Sequence, residues 1–359
     1  MQTLTSPQPS PSNDTPSEAA GGVRSNESWR RCIELYARPN LGRSLFSLAT
    51  SVVPFVALWV AMYFALDVSY LLVLVLAVPA AGFLVRTYIM FHDCTHGSLM
   101  PSKRANVWVG TALGLLVFTP FARWRHEHNV HHATAGDLDR RSVGDVPTYT
   151  VAEYQSWKWP TRVGYRLLRN PVVMFGLGPI YAMLLEPRWA NPSGKAKIRR
   201  TIWATNLALV LIVAGLCWLI GWQAFLLVEL PFVFLAGGAG IWLFYVQHNF
   251  LPTYWERNDD WSFEDAGLRG SSYFKLPKVL QFFSGNIGLH HVHHLNARIP
   301  NYNLQRVHDE GEIFDDVEPV TFMDGLRAAR LKLWDESTGR LVTWRELRSS
   351  RRTPPVVSV

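Results

Sequence analysis

The sequence predicts an all-α integral membrane protein with four transmembrane helices in two hairpins, short interfacial or re-entrant helices, and a histidine-rich helical cap on the cytoplasmic side. Three observations predict this fold. Hydrophobic residues make up 48% of the 359 residues and charged residues 18%, which is less charge than the roughly 25% of an average soluble domain. Long apolar runs occur in closely spaced pairs, and most of the histidines follow the ends of apolar runs.

The chain divides into a long central domain and two short tails. Residues 1–26 are rich in Ser, Pro and Thr and nearly free of large apolar side chains. Such a segment cannot bury enough apolar surface to offset the entropy of ordering, so we predict a disordered N-terminal tail. Residues 27–348 contain the apolar runs and the histidines and form the membrane domain, and residues 349–359 form a C-terminal tail.

Two pairs of apolar runs predict the two transmembrane hairpins. The first pair covers about residues 45–66 and 68–90, and the second covers about residues 201–220 and 222–246. Each run is long enough to cross about 30 Å of hydrocarbon as a helix. The turns between the members of each pair are almost absent, so each pair enters the membrane and returns.

Two further apolar runs are too short or too broken for a full span. Residues 107–121 form one, and residues 171–185, interrupted by Gly176, Gly178 and Pro179, form the other. Runs of this length are typical of re-entrant or interfacial segments.

The cations indicate the orientation. Arg and Lys residues precede the first span and fill the connection between the hairpins, Arg169 among them, whereas the two tight turns carry almost none. Cytoplasmic loops of membrane proteins carry the excess of Lys and Arg. We therefore expect an inner-membrane protein with both termini and the central connection in the cytoplasm. This topology accounts for most of the net charge of +7, and no aromatic-interleaved soluble module suggests a nucleic-acid surface.

Eleven of the twelve histidines come out on the cytoplasmic side of this topology, beside the ends of apolar segments, and only His308 stands apart. On a helix, residues at positions i, i+3 and i+4 share one face. This spacing selects eight histidines as metal ligands: His92 and His96; His128, His131 and His132; and His290, His293 and His294. His126 lies roughly opposite its face and His291 lies at the margin of its own, and we expect them and His308 to be surface or hydrogen-bonded residues.

Ligand type restricts the metal without identifying it. Imidazole suits zinc, copper, iron and nickel, and eight or nine histidines are too many for one ion and enough for two. Soluble di-iron bundles use Glu-x-x-His pairs, which are missing here. Iron, zinc and copper therefore remain open on the spacing alone.

Five stretches carry a family resemblance: HDCTHGS from residue 92, RHEHNVHHATAGDLD from 125, WLFYVQHNFLPTYWE from 242, RGSSYFKLPK from 269 and GNIGLHHVHHLNARIPNYNLQ from 285. They resemble the histidine boxes and linking segments of membrane fatty acid desaturases, most of all the bacterial acyl-lipid desaturases that act on phospholipid acyl chains. The resemblance extends from about residue 30 to residue 348 and is specific in order and spacing.

The resemblance implies a di-iron centre that uses O2 to remove two hydrogens from adjacent methylenes of an acyl chain, leaving a cis double bond. It implies the eight box histidines as ligands and adds His248, which follows the last span. Carboxylates often orient ligand histidines from behind, and Asp93, Asp137 and Asp139 lie nearest in sequence. Asn286 is a candidate to hold a water near the metals, although a structural amide is the favoured interpretation.

The electrons have to come from a partner. The sequence has no fused cytochrome b5 segment, no CxxC cluster and no GxGxxG motif, so we expect a separate ferredoxin-like or flavodoxin-like donor. A hydroxylase on the same scaffold is the alternative enzyme, and a hydroxylated product would identify it. A metal-transporting membrane protein is the alternative of another class, although the histidines cluster at helix ends and not along a path through the bilayer. The position of the double bond is left open.

Overall fold

In the computed structural model, residues 30, 31, 33–141, 144, 146–190 and 194–350 are described. The predicted N-terminal tail, residues 1–26, lies outside the described residues, as do residues 351–359 of the predicted C-terminal tail. In chain order, the α-helices from Leu41 onwards are α1 (Leu41–Ala65), α2 (Tyr70–His96), α3 (Lys103–Leu116), α4 (Phe121–Thr134), α5 (Val151–Ser156), α6 (Trp159–Leu168), α7 (Ala196–Ile220), α8 (Trp222–His248), α9 (Phe263–Leu268), α10 (Lys278–Phe283), α11 (His290–Leu295), α12 (Leu304–Glu310), α13 (Phe322–Ala328) and α14 (Trp344–Ser350).

Four helices in the described part of the chain, α1, α2, α7 and α8, are long and apolar enough to cross a membrane. They confirm the all-α membrane fold with two hairpins. Helices α1, α2 and α8 pack together around buried apolar side chains such as Met62. The rings of Phe55 and Phe232 meet there edge to face, with 5.4 Å between their centroids. Only 6% of the most apolar window of α7 is buried, against 50% for α2, so α7 leaves most of its surface for lipid.

Helix α2 continues past its apolar run and carries its last turn into the histidine region. Its first turn is capped by Ser69, whose side chain accepts a hydrogen bond from the backbone N–H of Leu71 at 3.2 Å. Its last residue is His96, and Gly97 follows with φ 73°. A left-handed conformation at this position ends a helix and favours glycine. Gly97 therefore ends the helix directly after the first pair of histidines.

The two short apolar runs form bent pairs and no straight span. Helices α3 and α4 meet at 103°, and Pro120 occupies the position just before α4. Helix α6 meets the segment 173–188 at 61°. That segment consists of the π-helices Val173–Leu177 and Ile180–Leu185 followed by the 3-10 turn Glu186–Arg188.

Short strands add two small sheets that the sequence did not predict: β1 (Tyr149–Thr150), β2 (Tyr273–Lys275), β3 (Pro319–Thr321), β4 (Leu331–Asp335) and β5 (Arg340–Thr343). Strand β4 pairs parallel to β1 and antiparallel to β5, and β2 pairs parallel to β3. Strands of two to five residues are too short to show a clear alternation of polar and apolar residues.

The three-stranded sheet is tied to the end of α8 by Arg169. Its guanidinium is fully buried and donates to the carbonyl of Leu331 in β4 at 3.3 Å, the hydroxyl of Tyr245 at 2.9 Å and the amide oxygen of Asn249 at 3.1 Å. The sequence had suggested a cation of the cytoplasmic connection. Because Asn249 directly follows His248, this clamp holds the chain beside one of the predicted ligands.

Candidate metal centre

Four separated helices bring the nine predicted ligand histidines together. Helix α2 contributes the two residues of its last turns, α4 contributes three, α8 ends on one, and the short α11 contributes three. Their ring nitrogens form two groups that could hold metal ions. Seven of the nine side chains are buried and two, His96 and His132, are partly buried.

The first group, the five-histidine cluster, consists of His92, His96, His128, His132 and His293, with the ligand nitrogens all within 4.8 Å of one another. The Nε2 atom of His132 lies 3.1 Å from the Nε2 atoms of both His128 and His293. Two nitrogens that bind one metal at about 2.0–2.1 Å and at a right angle are separated by about 3 Å. The spacing therefore fits a shared ion.

The second group, the four-histidine cluster, consists of His131, His248, His290 and His294, again within 4.8 Å. The Nε2 atoms of His248 and His290 are 3.1 Å apart. The two clusters touch, because the ring of His294 stacks on that of His132 at 4.1 Å between centroids. The arrangement can hold two ions side by side.

Each i, i+3, i+4 stripe is divided between the clusters. On α4, His128 and His132 belong to the five-histidine cluster while His131 belongs to the other. On α11, His293 crosses to the five-histidine cluster while His290 and His294 do not. The spacing had suggested that the three histidines on one helix face could converge on one metal. The helices are instead packed so that each of these faces contributes to both clusters.

The chemistry of the clusters suits cations. The Nε2 atoms of His92, His96 and His294 are buried and have no hydrogen-bond partner among the described residues. Burial, followed by the neighbouring imidazoles, lowers the pKa of His290, His293 and His294 well below the ordinary value. These rings are therefore neutral, and a neutral imidazole is the form that binds a metal.

Two of the rings are held from behind by oxygen atoms. The Nδ1 atom of His248 lies 3.0 Å from the carbonyl oxygen of Gly270, and that of His92 lies 3.2 Å from Oδ1 of Asp93. A proton on Nδ1 donates to each oxygen and leaves Nε2 free for a metal. Asp93 is itself fixed, because its Oδ2 accepts hydrogen bonds from the backbone N–H and the side-chain amide of Asn301, both at 2.8 Å.

The other polar residues named by the sequence lie elsewhere. Asp137 is buried and accepts from the backbone N–H of Asp139 at 2.8 Å and from Arg140, so it organises the turn after α4. Asp139 is exposed and binds Arg257 at 2.6 Å. Asn286 donates to the backbone carbonyl of Asn301 at 3.0 Å, and it thereby supports the segment that holds Asp93.

The three histidines set aside from metal binding stay outside both clusters. His126 is exposed. His291 is fully buried, and its Nε2 lies 3.1 Å from Nδ1 of His308, a residue of α12. The pair forms a contact between α11 and α12 on the far side of the ligands.

Residues 67–320 match the fatty acid desaturase family profile. A fatty acid desaturase of Bacillus subtilis is 44% identical over 316 residues, which are 88% of this chain and 90% of that protein. The chain belongs to the fatty acid desaturase family. A Synechocystis sn-1 acyl-lipid omega-3 desaturase (ferredoxin) is 28% identical over 61% of each chain, and an sn-1 oleoyl-lipid 12-desaturase of the same organism is 24% identical over 63% of this chain and 64% of that protein. The family and the enzyme class that the histidine boxes predicted are confirmed.

The desaturase has a largely apolar cavity of about 290 Å³ that reaches both clusters. It is lined by His92 and His128 of the five-histidine cluster and by His290 of the four-histidine cluster. Helices α2 and α8 and the π-helical segment form most of its apolar wall. The sequence contained no signal for this cavity, because it lies between side chains of elements that are distant in the chain.

One ion-pair group borders the cavity. Arg123 donates to Glu127 at 2.9 Å and to the carboxylate and the backbone carbonyl of Glu186, and all three side chains line the cavity. The group links α4 to the 3-10 turn after the π-helices. It forms a charged, polar rim on the largely apolar cavity.

Proposed function

We propose that this desaturase introduces a cis double bond into acyl chains of membrane phospholipids, with O2 as co-substrate and two iron ions held by the nine clustered histidines. One observation carries the proposal: two adjacent groups of buried, metal-fitting histidines open on the same apolar cavity. The cavity would bring the methylenes of an acyl chain to the histidine-bound ions away from water.

Iron is favoured among the metals because zinc has no redox chemistry. Two irons bound at the clusters would supply the activation of O2 and the removal of hydrogen from two adjacent methylenes. His92, His96, His128, His132 and His293 would hold one ion, and His131, His248, His290 and His294 the other. The chain's own contribution is to keep the rings neutral by burial and to orient them through oxygen atoms such as those of Asp93 and Gly270.

The cavity supports an acyl substrate. Its wall includes the aliphatic side chains of Leu84, Val85, Ile241 and Leu243. They exclude water, and burying the methylenes of an acyl chain against them is favourable. The ester end of a lipid would lie at the polar rim, because an unpaired carbonyl group is costly to bury among aliphatic side chains. One relative named as an acyl-lipid desaturase and one named as an oleoyl-lipid desaturase favour a membrane lipid over a soluble acyl carrier.

Orientation and electron supply complete the proposal. The desaturase would lie in the inner membrane with both termini and the histidine clusters in the cytoplasm, which is the side that receives the basic segments. A ferredoxin-like or flavodoxin-like protein would deliver two electrons there. A relative named for ferredoxin supports a soluble one-electron donor.

The test is expression in a bacterial host without polyunsaturated lipids, with and without a co-expressed ferredoxin system. Mass spectrometry locates any new double bond in each lipid class, and metal analysis of the purified protein counts its irons. We expect an O2-dependent alkene in phospholipid acyl chains, more of it with the donor, and about two irons per chain. A hydroxylated chain, a zinc-only protein, or full turnover with NAD(P)H and no donor would each overturn the corresponding part.

A further inference from the structure

We propose that Met183, packed against Gly237 of α8, is the end stop of the acyl channel and sets how many carbons of the substrate lie beyond the reacting methylenes. This inference rests on the function proposed above. It addresses the position of the double bond along the chain.

Two cavities lie one after the other along α2 and α8. The first, of about 290 Å³, contacts α8 from Ala236 to Gln247 and reaches the histidines. The second, of about 480 Å³, contacts α8 from Leu226 to Phe234 and α2 at Tyr70 and Leu74. The second cavity therefore lies on the side of the first that is farther from the clusters. It is open on the lipid-facing surface, because seven of its eleven lining side chains are exposed.

A tight contact separates them. A Cβ atom built on Gly237 would lie 2.6 Å from Cβ of Pro179 and 2.8 Å from Sδ of Met183. Met183 lines the first cavity and Pro179 lines the second. The π-helical segment thus presses on α8 at a position where only glycine fits, and the Met183 side chain closes the floor of the first cavity.

The methyl end of the substrate belongs at this floor. Ala182, Met183, Ala236 and Gly237 offer only aliphatic surface there. An ester group placed among them would lose its hydrogen bonds to water without replacement. The acyl chain therefore passes the histidines and ends with its methyl group against Met183.

Gly240 offers a way to raise the floor without disturbing the packing. It lines the first cavity, and no atom lies within 4 Å of a Cβ built on it. It is three residues nearer to His248 than Gly237 is, or about 4.5 Å along the helix. Since an extended chain advances about 1.2 Å per bond, a leucine side chain at this position would exclude about three to four carbons.

The experiment compares double-bond positions in phospholipids of the expression host described above. Gly240→Leu should move the double bond toward the methyl end by about three carbons, because fewer carbons fit beyond the clusters. Met183→Ala removes three side-chain atoms and joins the two cavities, so the bond should move toward the carboxyl end by about two to three carbons. Leu184→Ala, which changes the wall of the second cavity only, is the matched control and should keep the wild-type position.

Unchanged positions in both variants, or shifts in the same direction, would overturn the proposal. Failure of the proposed function has a different signature: the wild-type enzyme itself would form no alkene in phospholipids. A second measurement needs no turnover. In detergent, thermal stabilisation by saturated lysophosphatidylglycerols of increasing chain length should peak at a longer chain for Met183→Ala and at a shorter chain for Gly240→Leu. The same optimum in all three proteins would equally overturn the end stop.

Discussion

Replacing Asp93 with asparagine should weaken metal binding at the five-histidine cluster by about 10- to 100-fold. Asp93 is 1% exposed and holds two partners at once. Its Oδ1 lies 3.2 Å from Nδ1 of His92, and its Oδ2 accepts two hydrogen bonds from Asn301 at 2.8 Å. The carboxylate thus orients one predicted metal ligand and anchors the loop after α11.

The size of the effect follows from these contacts. An asparagine side chain has the same shape, but it carries no charge and only one of its two terminal atoms accepts hydrogen bonds. The variant therefore loses the charged acceptor of His92 or the bonds to Asn301. A hydrogen bond to a charged group contributes about 1.5–3 kcal/mol, and 10- to 100-fold in affinity is about 1.4–2.7 kcal/mol. The two ranges agree.

The assay measures iron retained by purified protein after dialysis against increasing concentrations of a chelator. Asp139→Asn is the matched control, since Asp139 is an exposed carboxylate that binds Arg257 at 2.6 Å and the backbone N–H of Asn258 at 3.1 Å. The reasoning fails if Asp93→Asn retains iron as the wild type does, or if both variants lose it to the same extent.

Three further changes test other parts of the structure. His131→Ala and His293→Ala, one from each cluster, should each abolish the lipid product in expressing cells; activity of both variants would refute the ligand assignment. Gly110→Ala should lower the stability by about 1–3 kcal/mol, because the new Cβ would lie 2.2 Å from a ring carbon of α4, whereas Gly215→Ala, with open space around it, should not lower the melting temperature. Burial lowers the pKa of Lys332 to about 7 in the folded protein, against an ordinary value near 10.5. Between about pH 7 and pH 10.5 the unfolded chain therefore binds more protons than the folded one, and the free energy of unfolding rises with pH. Lys332→Met should flatten this rise, and parallel plots of melting temperature against pH for the two proteins would contradict the reasoning.

The membrane helices were predictable because their signal is local. An apolar run of sufficient length has to be a helix in lipid, where every backbone group needs an internal partner. The short strands gave no such signal. Arg169 shows a different limit: the sequence placed it among the loop cations, and its burial depends on carbonyl and hydroxyl groups from three distant segments.

The sequence predicted which nine histidines lie together, but not how they are arranged. Helical spacing shows which histidines share a face, and family resemblance added His248. Neither shows that His293 faces one cluster while His294 faces the other, because that division depends on where the ends of α2 and α8 lie around α11. The same holds for Asp93 and Asp139, which are both near a histidine box in sequence but differ in what they contact.

The clusters also join parts of the chain that are made at very different times. His132 and His293 stand 161 positions apart, and their Nε2 atoms meet at 3.1 Å. A metal bound between them would close a loop that spans 161 positions, and ligands that bind only the folded state stabilise it by an amount that grows with the logarithm of their concentration. Synthesis would thus have to reach the histidines of α11 before any metal could be held firmly. Iron supply would then govern the survival of the newly made polypeptide as well as the activity of the finished enzyme.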